Sequence, residues 1–162
     1  MRSNPSALGS ALSSRMSIRF FSAAAMAVLA CALSASPAVA QGPQLPTTRL
    51  AAGIHVIHAE VAQTEETRRT GLMHRESMKP NEGMLFVFEA PDQRCFWMKN
   101  TLIPLSIAFI DDDGTIGNIA DMAPQSTDTH CSKGAVRYAL EMNQGWFAER
   151  GITAGTRIHG LP

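Results

Sequence analysis

Short runs of strand-like content recur along the chain from residue 54 onward and predict a domain built mainly from β-strands. The runs combine β-branched or aromatic residues with alternating apolar and polar positions. They cover residues 54–61, 84–89, 94–100, 105–111, 115–120, 136–142 and 157–160. Asp112, Asp113 and Gly114 separate two of these runs and favour a hairpin turn. The pattern predicts a small, mainly antiparallel β sandwich or barrel-like domain.

Two short helices are predicted between the strands. Thr64 can cap a helix whose first turn holds Glu65 and Glu66, because carboxylates stabilise the positive end of a helix, and Gly71 is expected to end it. A second helical stretch is predicted over residues 146–150. Strands and helices do not alternate regularly, and neither glycine-rich phosphate-loop pattern occurs. Nothing in the sequence therefore indicates nucleotide binding by those routes.

Residues 1–40 carry the pattern of a secretory signal peptide. Three arginines precede an apolar run over residues 20–33, and Ala-Val-Ala at 38–40 provides the small residues of a cleavage site. The run is shorter than the roughly 18 to 20 apolar residues of a membrane-spanning helix, and no later run is longer. We therefore expect residues 1–40 to be removed and the protein to be exported, to the periplasm or out of the cell, without a membrane span.

Two alternatives concern this leader. Met16 offers a second start, which would make residues 1–15 a misassigned extension. Cys31 follows Val-Leu-Ala, a loose match to a lipobox, and would in that case carry a lipid anchor. After the leader, we expect residues 41–46 to form a short tether and residues 47–162 to fold as a single β-rich domain.

Removal of the leader changes the composition of the protein. The whole chain has 14 basic and 14 acidic residues. The leader contains three arginines and no acidic residue, so the remainder of the chain has a formal charge of −3. This balance argues against a nucleic-acid partner. Cys95 and Cys131 remain, and in an oxidising compartment such a pair is typical of a structural disulfide. Two buried thiols are the alternative.

The chemically densest segment covers residues 95–101. In an extended strand, alternate side chains point to opposite sides, which places the Phe and Met of this segment toward the core and Trp97 and Lys99 outward. Together with the amide of Asn100, these two side chains could bind a carboxylate, a phosphate or a sugar hydroxyl. The alternative is a Trp97 ring that packs on the aliphatic stem of Lys99 at a solvated edge.

Four motifs extend over nearly the whole of the expected mature chain. They are Arg-Arg-Thr-Gly-Leu-Met-His-Arg at 68–75, Gly-Met-Leu-Phe-Val-Phe at 83–88, Phe-Trp-Met-Lys-Asn-Thr at 96–101 with Pro-Leu at 104–105, and Leu-Glu at 140–141 with Gly145. In this order they resemble the family known as domain of unknown function 192. The resemblance implies a small β-rich domain, commonly exported, with no agreed activity and no catalytic residue to transfer.

One position departs from that family's pattern. In the family, Pro-Leu is commonly followed by Asp, whereas this chain has Ser106. A general catalytic or metal-binding role for that carboxylate therefore does not apply to this chain.

The cations of these motifs suggest a ligand site. The guanidinium of Arg75 offers a planar fork for a carboxylate or phosphate, and a position after Gly71 could bring it beside Trp97. The expected ligand-binding residues are Arg75, Trp97, Lys99 and Asn100, with possible support from Arg68 and Glu141. The alternative is an Arg75–Glu141 ion pair that only fixes helix to sheet.

The residues favour a monomeric, exported domain that binds a small anionic or polar molecule, with no cofactor and no metal. An alternative is a structural or interaction protein of the cell envelope, whose motif residues serve folding alone. An enzyme is less favoured: a hydrolase would use the acidic residues Asp111, Asp112, Asp113 and Asp121, most of which lie at the predicted hairpin.

Binding of copper in the envelope is a further alternative, because thioethers are soft ligands. The methionines after the leader show no Met-x-x-Met cluster, and core packing explains most of them. His55 and His58 are three positions apart on a predicted strand, so they point to opposite sides and cannot easily share an ion.

The leader hypothesis predicts the mass of the purified protein. Intact-mass measurement of protein from an exporting host should give a chain that begins at Gln41, because cleavage after Ala40 removes the leader. A mass that corresponds to a chain beginning at an acylated Cys31 would support the lipid anchor instead.

Overall fold

The computed structural model describes residues 45–162, which form nine strands, one α-helix and one 3-10 turn. In chain order the elements are β1 Thr47–Ala52, β2 His55–Ala62, α1 Glu65–Thr70, β3 Glu82–Asp92, β4 Cys95–Phe96, β5 Leu105–Ile110, β6 Ile116–Met122, β7 His130–Cys131, β8 Val136–Asn143, the 3-10 turn Ala148–Arg150 and β9 Ile158–His159. The expected signal peptide, the second start at Met16 and the lipobox cysteine lie outside the described residues.

Seven strands form one curled sheet that resembles half a barrel, in the order β6-β5-β8-β3-β2-β1-β9. The strands β4 and β7 form a separate two-stranded ribbon. The mainly β fold class is confirmed. Within the sheet, β2 and β3 pair in parallel, while every other pairing of named strands is antiparallel. A parallel pair needs a long connection, and residues 63–81, which include α1, provide it.

Local signals in the sequence account for several elements. The Thr64 hydroxyl accepts a hydrogen bond from the Thr67 amide at 3.2 Å, and Gly71 ends α1 with φ +48°, so both predicted ends of this helix are confirmed. The hairpin between β5 and β6 is also confirmed, with Gly114 at φ +90°. Over residues 146–150 the chain forms turns and a short 3-10 turn instead of an α-helix.

Three strands differ from the prediction. The sequence pattern did not predict β1 or β7, because β1 is rich in polar residues and β7 has only two residues. The strand predicted over residues 94–100 ends at Phe96, because the chain then turns, with the Thr101 amide donating to the Met98 carbonyl at 3.0 Å.

Two hydrophobic clusters cover the sheet, and alternate residues of β8 belong to different clusters. Tyr138, Leu140 and Met142 pack in the first cluster, whereas Ala139 packs in the second. All six residues of β5 are buried. Both surfaces of the central strands are therefore covered by apolar side chains.

The predicted disulfide between Cys95 and Cys131 is confirmed. The two residues lie directly opposite each other in the β4–β7 ribbon, with their Cα atoms 4.1 Å apart. Next to the bridge, the buried hydroxyl of Ser132 accepts a hydrogen bond from the Arg94 amide at 3.0 Å and donates one to the Gly134 carbonyl at 2.6 Å. The ribbon is thus held both covalently and by hydrogen bonds.

Loss of the disulfide should destabilise the domain. The bridge joins residues 36 positions apart, and closing a loop of that length lowers the entropy of the unfolded chain, which corresponds to about 3 to 4 kcal/mol. The double variant Cys95→Ala and Cys131→Ala should lose about this much free energy of unfolding in urea titrations. An unchanged unfolding midpoint, with and without reductant, would contradict a stabilising role for the bridge.

Candidate functional site

A cavity of about 400 Å³ opens between α1, the end of β3 and the β4 segment. Four aromatic side chains line it, namely Phe86, Phe88, Phe96 and Trp97. Its charged lining consists of Glu65, Arg68, Arg69, Arg94 and Glu141. The volume lies within the range of small-molecule sites, and the mixture of apolar walls with a few charged groups is typical of them.

Phe96 anchors the aromatic wall. Its ring makes edge contacts with Phe86 and Phe109, with centroids 4.9 and 5.9 Å apart. The next residue, Trp97, is 53% exposed, and Met98 is fully buried in the second cluster. The predicted alternation of inward and outward side chains is therefore present, although the strand itself ends at Phe96.

Two arginines contact one phenylalanine of the cavity wall. The Cζ atoms of Arg68 and Arg94 lie 5.3 and 4.2 Å from the centroid of the Phe88 ring. Arg68 donates to the carbonyls of Gln63 and Val87, at 2.5 and 2.9 Å. Within residues 45–162, neither arginine forms an ion pair with a carboxylate.

Arg94 keeps an unused donor. One terminal nitrogen donates to the Ala90 carbonyl at 2.9 Å, but the buried Nε has no hydrogen-bond partner in the described part of the chain. Arg69, in contrast, pairs with Glu65 at 2.6 Å. Arg94 is therefore the cavity cation with the most evident unused hydrogen-bonding capacity.

Glu141 is the buried acid of the cavity. It lies on β8 opposite Met84 of β3 and Ile107 of β5, and only 5% of it is exposed. Within residues 45–162 its carboxyl group forms no ion pair and no hydrogen bond. Burial raises the pKa of Glu141 to about 8, so the carboxyl group is mostly neutral at pH 7.

The predicted site residues separate into two groups. Trp97, Arg68 and Glu141 line the cavity together. Arg75 does not line it: its guanidinium pairs with Glu60 of β2 at 2.7 Å, and both side chains are half-buried. The alternative pairing of Arg75 with Glu141 is therefore wrong, because the turn after Gly71 directs Arg75 toward β2.

Lys99 and Asn100 lie next to the cavity rather than in its lining. The Lys99 ammonium is 5.6 Å from the centroid of the Trp97 ring, on the exposed side of the segment. The Asn100 amide donates to the sulfur of Met73 at 3.7 Å. The contact between Lys99 and Trp97 agrees with the packing alternative for this pair.

The backbone of the segment 96–101 is held by two neighbouring loops. The His74 amide donates to the Asn100 carbonyl at 2.9 Å, and the Gln125 amide donates to the Thr101 carbonyl at 3.0 Å. His74 and Gln125 are also the two non-glycine residues of the described chain with positive φ, at 62° and 58°. Such conformations persist where the surrounding structure fixes them, which indicates a rigid support for the loop that carries Trp97.

Sequence reasoning missed Phe88 and Arg94. Pairing of β3 with β8 is interrupted between Val87 and Asp92, so Phe88 leaves the regular ladder and turns toward Arg94. The available signal was an arginine directly before a disulfide cysteine. Its contact with a ring from another strand depends on this interruption and is not visible in the sequence.

The acidic residues considered for hydrolysis do not form one group. Asp111 and Asp113 both accept hydrogen bonds from the Thr115 amide in the hairpin turn. Burial raises the pKa of Asp111, and its hydrogen bond to Asp113 lowers the pKa of Asp113 to about 2. Asp112 pairs with Arg137 at 3.1 Å. These contacts show that the three aspartates serve the turn and its surroundings.

Asp121 lies at the other end of β6, where it accepts a short hydrogen bond from Ser106. The Ser106 hydroxyl also accepts a hydrogen bond from the Gly145 amide at 2.9 Å. Ser106, at the position of the family's commonly observed aspartate, is thus a buried structural contact between β5, β6 and the turn after β8.

Four of the six methionines considered for copper pack in the core. Met84, Met98 and Met122 belong to the second cluster and Met142 to the first. Among residues 45–162, no group of three or more His, Cys, Asp or Glu side chains could hold a metal ion. In the same range, no helix is long and apolar enough to cross a membrane.

Comparison with known proteins identifies relatives of the domain. The model of the family DUF192, described as an uncharacterized ACR, matches residues 47–160. A crystal structure of a candidate transcription regulator from Sinorhizobium meliloti 1021 is 35% identical, with a TM-score of 0.70, and the match covers 74% of this chain and 98% of that one.

A protein of unknown function from Novosphingobium aromaticivorans DSM 12444 is 34% identical in sequence. Its crystal structure has a TM-score of 0.71, and the match covers 78% of this chain and 94% of that one. No functionally curated protein matches this chain.

The pKa of Glu141 predicts how stability depends on pH. Below its ordinary pKa of 4.5, the group is protonated in both states. Between 4.5 and about 8, the unfolded state loses the proton and the folded state keeps it, so stability falls as pH rises. The variant Glu141→Gln cannot ionise and should match the wild type at pH 4. At pH 9 it should be more stable by about 3 to 5 kcal/mol.

Urea unfolding at pH 4, 7 and 9 measures this difference. The matched control is Glu89→Gln, which alters an exposed glutamate of β3 and should leave the pH dependence unchanged. A Glu141→Gln effect of the same size at all three pH values would show that the carboxyl group is not neutral when folded.

Proposed function

The chain belongs to the domain of unknown function 192 family, and we propose that its domain binds a small anionic or polar ligand in the cavity beside Trp97. The observation that carries this proposal is the pair of arginines on the Phe88 ring. Neither Arg68 nor Arg94 has a carboxylate partner within residues 45–162, although both line a cavity of ligand size.

The chemistry of the guanidinium group supports an anionic ligand. A planar guanidinium can donate two parallel hydrogen bonds to a carboxylate or phosphate, and such bonds are stronger where water is partly excluded. Within residues 45–162 the terminal nitrogens of Arg94 donate one hydrogen bond, to the Ala90 carbonyl, so the guanidinium group retains donors for a ligand. The aromatic rings of the cavity suit the apolar part of a ligand.

The other predicted residues receive different roles in this proposal. Trp97 forms the exposed rim, and Lys99 adds a positive charge beside it. Asn100 positions the rim through its contacts with the turn at residues 73–74. Arg75 is a structural residue, because Glu60 already neutralises its charge.

We also propose that the protein acts outside the cytoplasm. The signal-peptide pattern of residues 1–40 supports export, and the Cys95–Cys131 disulfide suits an oxidising compartment. Nucleic-acid binding is not part of the proposal, since residues 41–162 carry more acidic than basic side chains.

Fluorescence of Trp97 tests this function. The protein should be titrated with a panel of small carboxylates and phosphates, and binding should quench the wild-type signal but not that of Trp97→Phe, which retains the buried Trp146. Arg94→Ala should weaken binding at least about 10-fold, the loss expected for one charge-assisted hydrogen bond of about 1.5 kcal/mol or more.

The matched control is Arg49→Ala, which removes an exposed arginine of β1 outside the cavity. Equal affinities of Arg94→Ala and the wild type would contradict the proposed site. An unresponsive signal across the panel, together with native mass spectra that show no bound molecule, would contradict ligand binding itself.

A further inference from the structure

The cavity is lined by one acid and two arginines that form no ion pair, Glu141, Arg68 and Arg94. Six ion pairs occur within residues 45–162, and none involves Glu141, Arg68 or Arg94. A buried carboxyl group without a partner costs stability, because burial removes its hydrogen bonds to water. The chain nevertheless has this group in a cavity that also holds two arginines without carboxylate partners.

Glu141 and the two arginines reach the cavity from different elements, since Glu141 lies on β8, Arg68 on α1 and Arg94 directly before β4. Within residues 45–162 the Glu141 carboxyl group forms no ion pair with Arg68 or Arg94, so it lies beyond contact distance of both guanidinium groups. The residues opposite Glu141 on the adjoining strands, Met84 and Ile107, are apolar.

The other titratable groups of the cavity lie on α1 and before β4. On α1, Glu65 is paired with Arg69, and Arg68 donates to two carbonyls. Before β4, Arg94 stacks on Phe88. The neighbouring thiol position, Cys95, is oxidised in the disulfide and does not titrate.

The surroundings of each end suit a different group of a ligand. A carboxyl group in a cavity that is also lined by aromatic rings is a favourable place for an ammonium group, because the face of an aromatic ring attracts a cation. Two guanidinium groups suit a carboxylate. A ligand with both groups would satisfy both ends of the cavity, whereas a simple anion would leave Glu141 without a partner.

We propose that the ligand is a small zwitterion of the amino-acid type with an apolar side chain, whose ammonium group pairs with Glu141 and whose carboxylate pairs with Arg68 and Arg94. This inference rests on the proposed function, since it assigns a ligand class to the same cavity. The aromatic wall formed by Phe86, Phe88 and Phe96 receives the apolar side chain.

Binding of an ammonium group has a defined proton balance. The neutral Glu141 carboxyl group must ionise to pair with the cation, so about one proton passes to the solvent at pH 7. The affinity for a zwitterion therefore rises between pH 6 and pH 8. A ligand that carries only a carboxylate needs the protonated Glu141, so its affinity falls in the same interval.

Calorimetry with three probes that share a phenyl ring tests the inference. Phenylalanine carries both charges, 3-phenylpropionate lacks the ammonium group, and phenethylamine lacks the carboxylate. Phenylalanine should bind at least about 10-fold more tightly than either single-charge probe, as expected for one charged contact of 1.4 kcal/mol or more. Titrations in two buffers of different ionisation enthalpy should give a release of about one proton.

Variants test which residue of the cavity binds the ammonium group and which binds the carboxylate. Glu141→Gln should weaken phenylalanine binding about 10-fold, abolish proton release and leave 3-phenylpropionate binding unchanged. Arg94→Ala should weaken both carboxylate-containing probes. Glu89→Gln should match the wild type with all three. Because Glu141→Gln is expected to be at least as stable as the wild type, loss of folding does not explain a loss of binding.

The outcomes separate the inference from the function on which it rests. Equal binding of 3-phenylpropionate and phenylalanine, with affinity that falls as pH rises, would overturn the zwitterion and support a simple anion site. Failure of all three probes would overturn the amino-acid class. The proposed function itself would be contradicted only if the panel of carboxylates and phosphates also failed to bind.

Discussion

Apolar burial on both surfaces of β5 and β8 restricts where charged groups can lie in this domain. Alternate residues of β8 pack into different hydrophobic clusters, and every residue of β5 is buried. A charged side chain on these strands must therefore reach an opening in the packing or become neutral. Glu141 does both, because it lines the cavity and burial raises its pKa to about 8.

The opening itself depends on the chain around the disulfide. The Cys95–Cys131 bridge fixes the short β4–β7 ribbon, and Phe96 of that ribbon packs into the second cluster. After Phe96 the chain turns outward with Trp97, held by backbone hydrogen bonds from His74 and Gln125. The disulfide, the packing of Phe96 and these backbone contacts thus place an aromatic rim at the cavity. Within residues 45–162 none of Arg68, Arg94 and Glu141 forms an ion pair.

Local interactions made part of this structure predictable from the sequence. The Thr64 cap, the end of α1 at Gly71 and the β5–β6 hairpin each depend on residues a few positions apart, and all three are present. The disulfide followed from the cysteine count and the expected compartment. Arg68 and Glu141, which the sequence motifs suggested as possible support for the site, both line the cavity.

Contacts between distant parts of the chain were not predictable in this way. Arg75 pairs with Glu60 because β2 and β3 are parallel neighbours joined by a long connection, which brings the turn after α1 back over β2. The position of Phe88 between Arg68 and Arg94 depends on an interruption in the pairing of β3 with β8. Both arrangements arise from sheet topology, and alternation of side chains within one strand carries no information about either.

The proposed ligand site depends most on the neutral, buried carboxyl group of Glu141. Carbon-13 NMR of the glutamate carboxyl groups, with Glu141→Gln to assign the signal, measures the pKa of this group directly. We expect a pKa of about 8 in the protein alone and a clear decrease when phenylalanine is bound. A pKa near the ordinary value of 4.5, unchanged by the ligand, would contradict this expectation.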